Sequence, residues 1–521
     1  MLDRDLVAVG EQPRVSGNTR HVALAMDEEE AEREAAAMWP TRRHERVRAF
    51  MPEPGRRPVQ LVLRDDTLER NRVTVCFRLI LAIPHLIWWW LWGFGALIVL
   101  PFHWIYALFA GIPASGLHSF YAMYVRYSSQ VYAYVSLAAD PYPGFVPDPG
   151  EYVVDVEVAG PERQPRWTIL LRLALALPPL VLTAVLVSGA GGGGDDGATW
   201  WGADSDSATG LALQASGVLA TVMVLLWFSC LVRGRSPRGL RDLALYCIGY
   251  AAQAYGYVAL LSARYPDSSP ALTRPASQPD HPVRAQLDDD RRRGRMVVLF
   301  RALLVLPHLV WLTLWGILVV FVVIANWLCA LFAGRVPAPL HRFVAAYLRY
   351  QTHVTAFLWL AANPFPGFLG RPGTYPYELE IDSPAPQHRA VTLFRLVLVV
   401  PALMVSGALS SVLLVCAVGG WVVALFTAKM PSGLRDLNAF CVRYGAQVNA
   451  YMMLLTDRYP YSGPTLATGF VEPGPEPTAQ APGVPPAPSV PLPPGWAPPV
   501  APPTTVVPPV RTWRPDRPEA L

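Results

Sequence analysis

The sequence predicts an all-α multi-pass membrane protein of four repeated units. Each unit is a short strand, a transmembrane helical hairpin and an amphipathic helix, giving about eight transmembrane helices between disordered tails. Three observations lead there. The 521 residues are 52% hydrophobic and only 16% charged, where soluble domains average about 25% charged. Long apolar tracts recur, such as Phe77–Gly111 (FRLILAIPHLIWWWLWGFGALIVLPFHWIYALFAG), led by an arginine, interrupted by proline and closed by glycine. The chain writes that tract four times, and a repeat of this kind sets the architecture.

The lead arginines are Arg78, Arg172, Arg301 and Arg395. At an offset of 223, Pro84, His85, Trp104, Gly111 and Arg126 become Pro307, His308, Trp327, Gly334 and Arg349. The second and fourth copies start at the same offset (Pro178/Pro401) but finish at 194 (Pro237/Pro431, Gln253/Gln447, Pro266/Pro460), so the second carries 29 extra residues. A duplicated unit, duplicated again as a pair, explains the pattern. The chain divides into a polar, disordered cytoplasmic tail (1–57) and four membrane repeats (58–150, 151–275, 281–373, 374–463). The second repeat holds an outer Gly/Asp loop at 189–210, and a Pro-rich disordered tail (464–521) ends the chain.

Met1–Phe50 lacks the apolar segment of a signal peptide, and its acidic stretch Asp27–Met38 has no apolar face to bury. Each repeat opens with a period-two run: Val59–Leu63, Val154–Val158, Val283–Leu287 and Tyr377–Ile381. Alternation of this kind predicts half-buried strands, placed to meet in one small sheet outside the bilayer. The apolar tract follows. As one helix, Arg78–Gly111 would be about 50 Å long, against a hydrocarbon core of about 30 Å. In the second repeat the extra residues separate two apolar runs, Ile169–Ser188 and Leu211–Val232, by a Gly/Asp loop that cannot cross a bilayer. The tract therefore reads as a hairpin, with tips at Gly93/Gly95, Gly316 and Gly407 in the other repeats.

That loop carries Asp195, Asp196, Asp204 and Asp206 and no basic residue. The tract ends carry Arg70, Arg72, Arg163, Arg166, Arg233, Arg235, Arg291–Arg293, Arg335, Arg389 and Lys429. The positive-inside rule then puts the arginine side, both termini and all four strands in the cytoplasm, with the spans in the plasma membrane. A third helix follows each hairpin. Its apolar stripe (Leu434, Leu437, Cys441, Tyr444, Val448, Tyr451, Leu455) predicts a cytoplasmic-face helix in the interface or against the bundle. The competing reading, a third span per repeat, would alternate the orientation of successive repeats and scatter arginines to both sides. Aromatic–proline turns such as Asp457-Arg458-Tyr459-Pro460 end each unit.

These units resemble a bacterial membrane family common among actinobacteria, domain of unknown function 4389. The resemblance rests on RLVLVVP (Arg395–Pro401), RLILAIPH (Arg78–His85), Pro431-Ser432-Gly433-Leu434-Arg435-Asp436, Arg443-Tyr444 and Asp457-Arg458-Tyr459-Pro460. It covers about Pro58–Gly463. It departs where Pro179 and Ala402 replace the histidine and where Gly249 replaces the third-helix arginine. The resemblance implies an architecture and no activity.

No Walker loop, GxSxG, HExxH or GxGxxG after a strand is present, so the sequence predicts no enzyme, catalytic residue, metal or cofactor. The six cysteines form no CxxC pair. The net charge of +4 forms no basic face, which excludes nucleic acid as a partner. The lead arginines read as inner-leaflet anchors. Their alternative role, shared with Arg126, Arg349 and Arg443 of the third helices, is contact with an anionic lipid or ligand. Gln130, His353 and Gln447 follow that second set four residues on. His85 and His308 read as packing histidines, and Trp104, Trp227, Trp327 and Trp421 as packing or interface anchors. Asp242 and Asp436 read as helix caps. The partners expected are the lipid bilayer and a protein that docks the Pro-rich C-terminal tail. Two functions fit: a non-enzymatic scaffold of the plasma membrane, or a transporter or lipid-handling protein with a site at the repeat interface.

Overall fold

A computed structural model describes residues 57–64, 67–188, 217–270 and 281–464. The two tails and the Gly/Asp loop lie outside these residues. The first repeat gives β1 (Val59–Leu63), α1 (Arg72–Ala110) and α2 (Ser115–Val135). The second gives β2 (Val154–Val158), α3 (Arg166–Leu170), α4 (Arg172–Val187), α5 (Val218–Arg233) and α6 (Arg238–Val258). The third gives β3 (Val283–Leu287), α7 (Arg295–Ala333) and α8 (Ala338–Leu358). The fourth gives β4 (Tyr377–Ile381), α9 (Arg389–Leu393), α10 (Arg395–Leu398), α11 (Val400–Thr427) and α12 (Ser432–Met452).

The apolar tracts are not hairpins. α1 and α7 each run unbroken for 39 residues, about 58 Å, through Gly93, Gly95 and Gly316. Gly407 likewise lies inside α11. These glycines are not turns, and two of them serve close packing. A Cβ on Gly93 would lie 2.6 Å from the Tyr124 hydroxyl, and one on Gly316 3.0 Å from that of Tyr347. The hairpin lies elsewhere: α2 turns back and runs antiparallel along α1. Tyr121 Oη donates to Ala96 O (2.6 Å), His85 meets Tyr127 Oη (2.8 Å) and Arg78 reaches Tyr134 O (2.9 Å). α6, α8 and α12 return in the same way.

In the second repeat, α4 and α5 are the two halves of the long helix, interrupted by the insertion. The guanidinium of Arg172, at the start of α4, bonds Ser262 O just beyond the end of α6 (3.2 Å). The end of α5, at Gly234, lies beside the start of α6. The outer ends of α4 and α5 are thus separated by the length of α6, about 30 Å. A hairpin would have brought them together.

Successive repeats are antiparallel. The start of α1 meets the end of α5 (Arg70 N–H to Gly234 O, 2.9 Å), and its end meets the start of the second repeat (Gln164 N–H to Gly111 O, 3.0 Å). Repeats three and four copy this with Arg293 N–H to Ala428 O (2.9 Å) and Gln387 N–H to Gly334 O (2.8 Å).

Three layers result. The long helices lie in the order α1, α4/α5, α11, α7. The return helices pack beneath them, α2 against α6 and α12 against α8. They are largely buried rather than lying free at an interface. The strands form the third layer, as two antiparallel ribbons, β1–β2 and β3–β4, not one four-stranded sheet. β1 lies on α6 and β2 on α2; β3 lies on α12 and β4 on α8. The core fills the space between layers, with Leu226, Leu243, Phe357, Leu409 and Phe440 fully buried.

Among the described residues three helices, Arg72–Ala110, Arg295–Ala333 and Arg395–Thr427, are long and apolar enough to cross a membrane. Their outward residues are apolar, among them Phe94, Leu97 and Phe102 on α1 and Leu314, Ile317 and Phe321 on α7. A patch of that extent marks a lipid or protein contact rather than an ordinary soluble surface.

Candidate functional site

The four lead arginines are 1%, 0%, 3% and 2% exposed. They face protein, not lipid. Arg78 donates to Tyr134 O (2.9 Å) and Ala139 O (2.8 Å) and pairs with Asp140 (2.7 Å), its guanidinium 4.4 Å from the Tyr134 ring centre. Arg172 holds Ser262 O and Gln164 Oε1 and lies over Tyr257. Arg301 holds Phe357 O, Ala362 O and Asn363, and Arg395 holds Tyr451 O, Thr456 O and Gln387. Each is a cation set on the carbonyl end of its own return helix, where the helix dipole favours it. Planar guanidinium suits both the divergent carbonyls and the ring face.

The carbonyls are presented by a device that composition does not reveal. Leu137, Leu260, Leu360 and Leu454 have φ of 63°, 58°, 61° and 62°, left-handed values that glycine normally takes at this position. In the first repeat Ala139 N–H then bonds back to Ala133 O (3.0 Å). Leucine is kept because its side chain is buried, 0–2% exposed at all four. The signal was legible as a leucine recurring at offsets 223 and 194.

A second arginine in each repeat caps the partner repeat. Arg72 donates to Val232 O (3.1 Å), Arg166 to Phe109 O, Arg295 to Phe426 O and Arg389 to Phe332 O (each 3.0 Å). Three of the recurrent tryptophans also bond outside their own long helix: Trp104 to Val258 O (2.9 Å), Trp327 to Thr392 O and Trp421 to Val298 O (both 3.0 Å).

Arg126 and Arg349 clasp the strand layer to the return helices, and Arg443 clasps the segment that follows its own helix. Arg126 Nε pairs with Asp155 of β2 (2.8 Å) and Arg349 with Glu378 of β4 (3.0 Å). Arg443 holds Gly463 O (2.7 Å). Asp242 and Asp436 cap nothing; the helix caps there are Pro237 and Pro431, and the carboxylates pair with Arg241 and Arg435 (both 2.7 Å). His85 and His308 are packing histidines, bonded to Tyr127 and Tyr350 and stacked on Phe145 and Phe368.

Burial holds His118, His281 and His341 below the ordinary histidine range. Unfolded histidines take a proton near pH 6.5, and these folded ones only below it. The unfolded chain therefore binds more protons just under pH 6.5, and stability falls as pH drops through that window. The thermal midpoint is expected to fall from pH 7 to 5, with His281→Gln flattening part of the fall. A midpoint independent of pH would contradict this.

Among the described residues, a cavity lies at the repeat interface in each half of the chain. One, of about 270 Å3, sits between repeats one and two, with Trp89, Tyr124, Tyr132 and Tyr255 on its walls. The other, of about 210 Å3, sits between repeats three and four, with Gln351, Thr355, Ser410 and Asn449 on its walls. No group of metal-ligating side chains occurs among the described residues.

A family model described as Domain of unknown function (DUF4389) matches the chain four times, over residues 72–146, 211–268, 295–369 and 389–462. The second match begins late because the insertion interrupts that repeat. No curated protein and no solved structure matches the chain.

Proposed function

The chain belongs to the DUF4389 family, a domain of unknown function whose four matches fill just over half its length, and from that premise we propose a non-enzymatic scaffold embedded in one leaflet of the cell membrane. The observation that carries the reading is the position of the ribbons. They cross the middles of the return helices. Leu61 of β1 lies against Gly249 of α6, and Asp155 of β2 meets Arg126 of α2. If the helices stood along the membrane normal, the ribbons would sit at bilayer mid-depth. Arg284, Gln286, Glu380 and Asp382 would then meet hydrocarbon, beside open strand edges. A helix of about 58 Å would also have to tilt about 60° to fit a core of about 30 Å, beyond the usual 0–40°.

Helices lying in the membrane plane remove both conflicts. The outer face of the long-helix layer enters the acyl chains, and the ribbons face water. This also answers the scattering of arginines: in antiparallel repeats the capping arginines stand at both ends of the layer, which in-plane is a single rim at headgroup depth. Anionic lipid favours such a rim on the cytoplasmic leaflet. Arg57, ahead of β1, and Gly463, bonded to Arg443, both lie on the ribbon side. The reading replaces eight spans by none.

The scaffold's working parts are this aqueous face and the Pro-rich tail, which suits an aromatic-lined groove on a partner. The test is co-purification from native membranes, full length against a chain ending at Gly463. A stoichiometric protein partner lost with the tail is the expected result. Lipid alone, retained equally by both, would refute the scaffold.

A further inference from the structure

We propose that the cavity between repeats three and four binds a neutral, hydroxyl-bearing lipid of the diacylglycerol class. The two cavities occupy the same place in the two halves of the chain. Ser128, Tyr132 and Val187 of the first correspond at offset 223 to Gln351, Thr355 and Ser410 of the second. Ile248 and Tyr255 correspond at offset 194 to Val442 and Asn449. Packing faults would not fall twice on equivalent residues, least of all where the side chains filling those positions differ so much.

The difference between the linings sets the ligand. The first cavity is aromatic and its polar groups are few. In the second, tyrosines and valine give way to threonine, asparagine and serine. None of its lining residues is charged. Phosphate or carboxylate would enter without a cation to meet it, so an anionic headgroup is disfavoured. A ligand that donates fits the lining best. Gln351 Oε1 is buried with no hydrogen-bond partner, whereas Thr355 and Ser410 spend their hydroxyl protons on Gln351 O (2.7 Å) and Ser406 O (2.8 Å). That amide oxygen lacks a donor, and a lipid hydroxyl that reached the Gln351 carboxamide would supply one.

The mouth sets the source. α11 forms a wall, α8 and α12 the floor, and no ribbon residue takes part. The open side is therefore the long-helix side, with its apolar surround. A volume of about 210 Å3 holds roughly seven waters' worth of liquid. That is a small polar head with its chains trailing into the acyl region, not a whole lipid. This inference rests on the long-helix layer facing lipid; it does not depend on the direction of the helix axes or on the tail.

The experiment uses the full chain in phosphatidylcholine nanodiscs containing dioleoylglycerol or phosphatidylglycerol, with retained lipid counted by native mass spectrometry. Wild type is expected to retain one dioleoylglycerol. Gly445→Leu fills the cavity at a helical position where a Cβ meets no heavy atom within 4 Å, and it should weaken retention at least tenfold. Gly445→Ala should retain the lipid. Gln351→Leu, which removes the unpartnered acceptor and adds no bulk, should weaken retention several-fold, and it decides the matter if Gly445→Leu does not fold. Retention unchanged in Gln351→Leu and Gly445→Leu, no retention above phosphatidylcholine, or equal retention of phosphatidylglycerol would each overturn the proposal.

Discussion

Arg301→Met is expected to cost about 3 kcal/mol or more of stability, because three neutral acceptors each lose a hydrogen bond to a charged group, worth about 1.5–3 kcal/mol apiece. Methionine fills much of the volume but offers no donor. The carbonyls of Phe357 and Ala362 and the amide oxygen of Asn363 lose the guanidinium. The Phe357 carbonyl ends the return helix, where Leu360 N–H also bonds it (3.2 Å), and the Ala362 carbonyl lies four residues beyond the helix end. Arg301→Lys should recover little. An ammonium cannot span divergent acceptors, and the stacking on Phe357, 4.4 Å from the guanidinium carbon, goes with the plane. Reversible unfolding in mild detergent measures this. A loss below about 1 kcal/mol for Arg301→Met would mean the lead arginines do not hold the helix ends.

Asp155→Ala should be nearly as damaging, at about 3 kcal/mol, and its damage should be local. Asp155 is 1% exposed and accepts from Arg126 Nε (2.8 Å), Arg64 (3.2 Å) and Gly150 N–H (2.9 Å). Alanine leaves the Arg126 guanidinium buried without its carboxylate. Amide exchange across β1 and β2 should quicken while β3 and β4 stay protected. Glu378→Ala should cost less, because Arg349 keeps Leu379 O (3.1 Å) and Gly370 O (3.3 Å). Equal losses at Asp155 and Glu378, or exchange that quickens in both ribbons, would contradict this account of the clasp.

The repeat and its strands were legible because they rest on local signals. Four five-residue runs of alternating pattern are four strands with those bounds. The lead arginines were legible as recurrent, but their role was not, since Arg78 finds its carbonyls 56 and 61 residues away. Their place at the start of apolar tracts suggested lipid; their partners are helix ends that only folding brings near. The hairpin failed for a related reason. Gly93 looks the same whether it makes a turn or admits a tyrosine, and only the position of Tyr124 decides. The insertion in the second repeat compounded the error, because a break inside a helix resembles the tip of a hairpin when only the flanking apolar runs are visible. The cavities left no trace in composition. Their linings come from three or more helices, and only the paired offsets, applied to the folded chain, show them to be equivalent.

The orientation of the helices is the claim on which the account turns. Long and return helices run side by side in antiparallel pairs, so they share a common axis direction and give one signal. Oriented circular dichroism of the full chain in aligned bilayers reads that direction. Helices lying in the membrane plane, with the spectrum of parallel-to-surface helices across hydration levels, are the predicted result. A spectrum of helices standing along the bilayer normal would contradict it and restore membrane-spanning repeats.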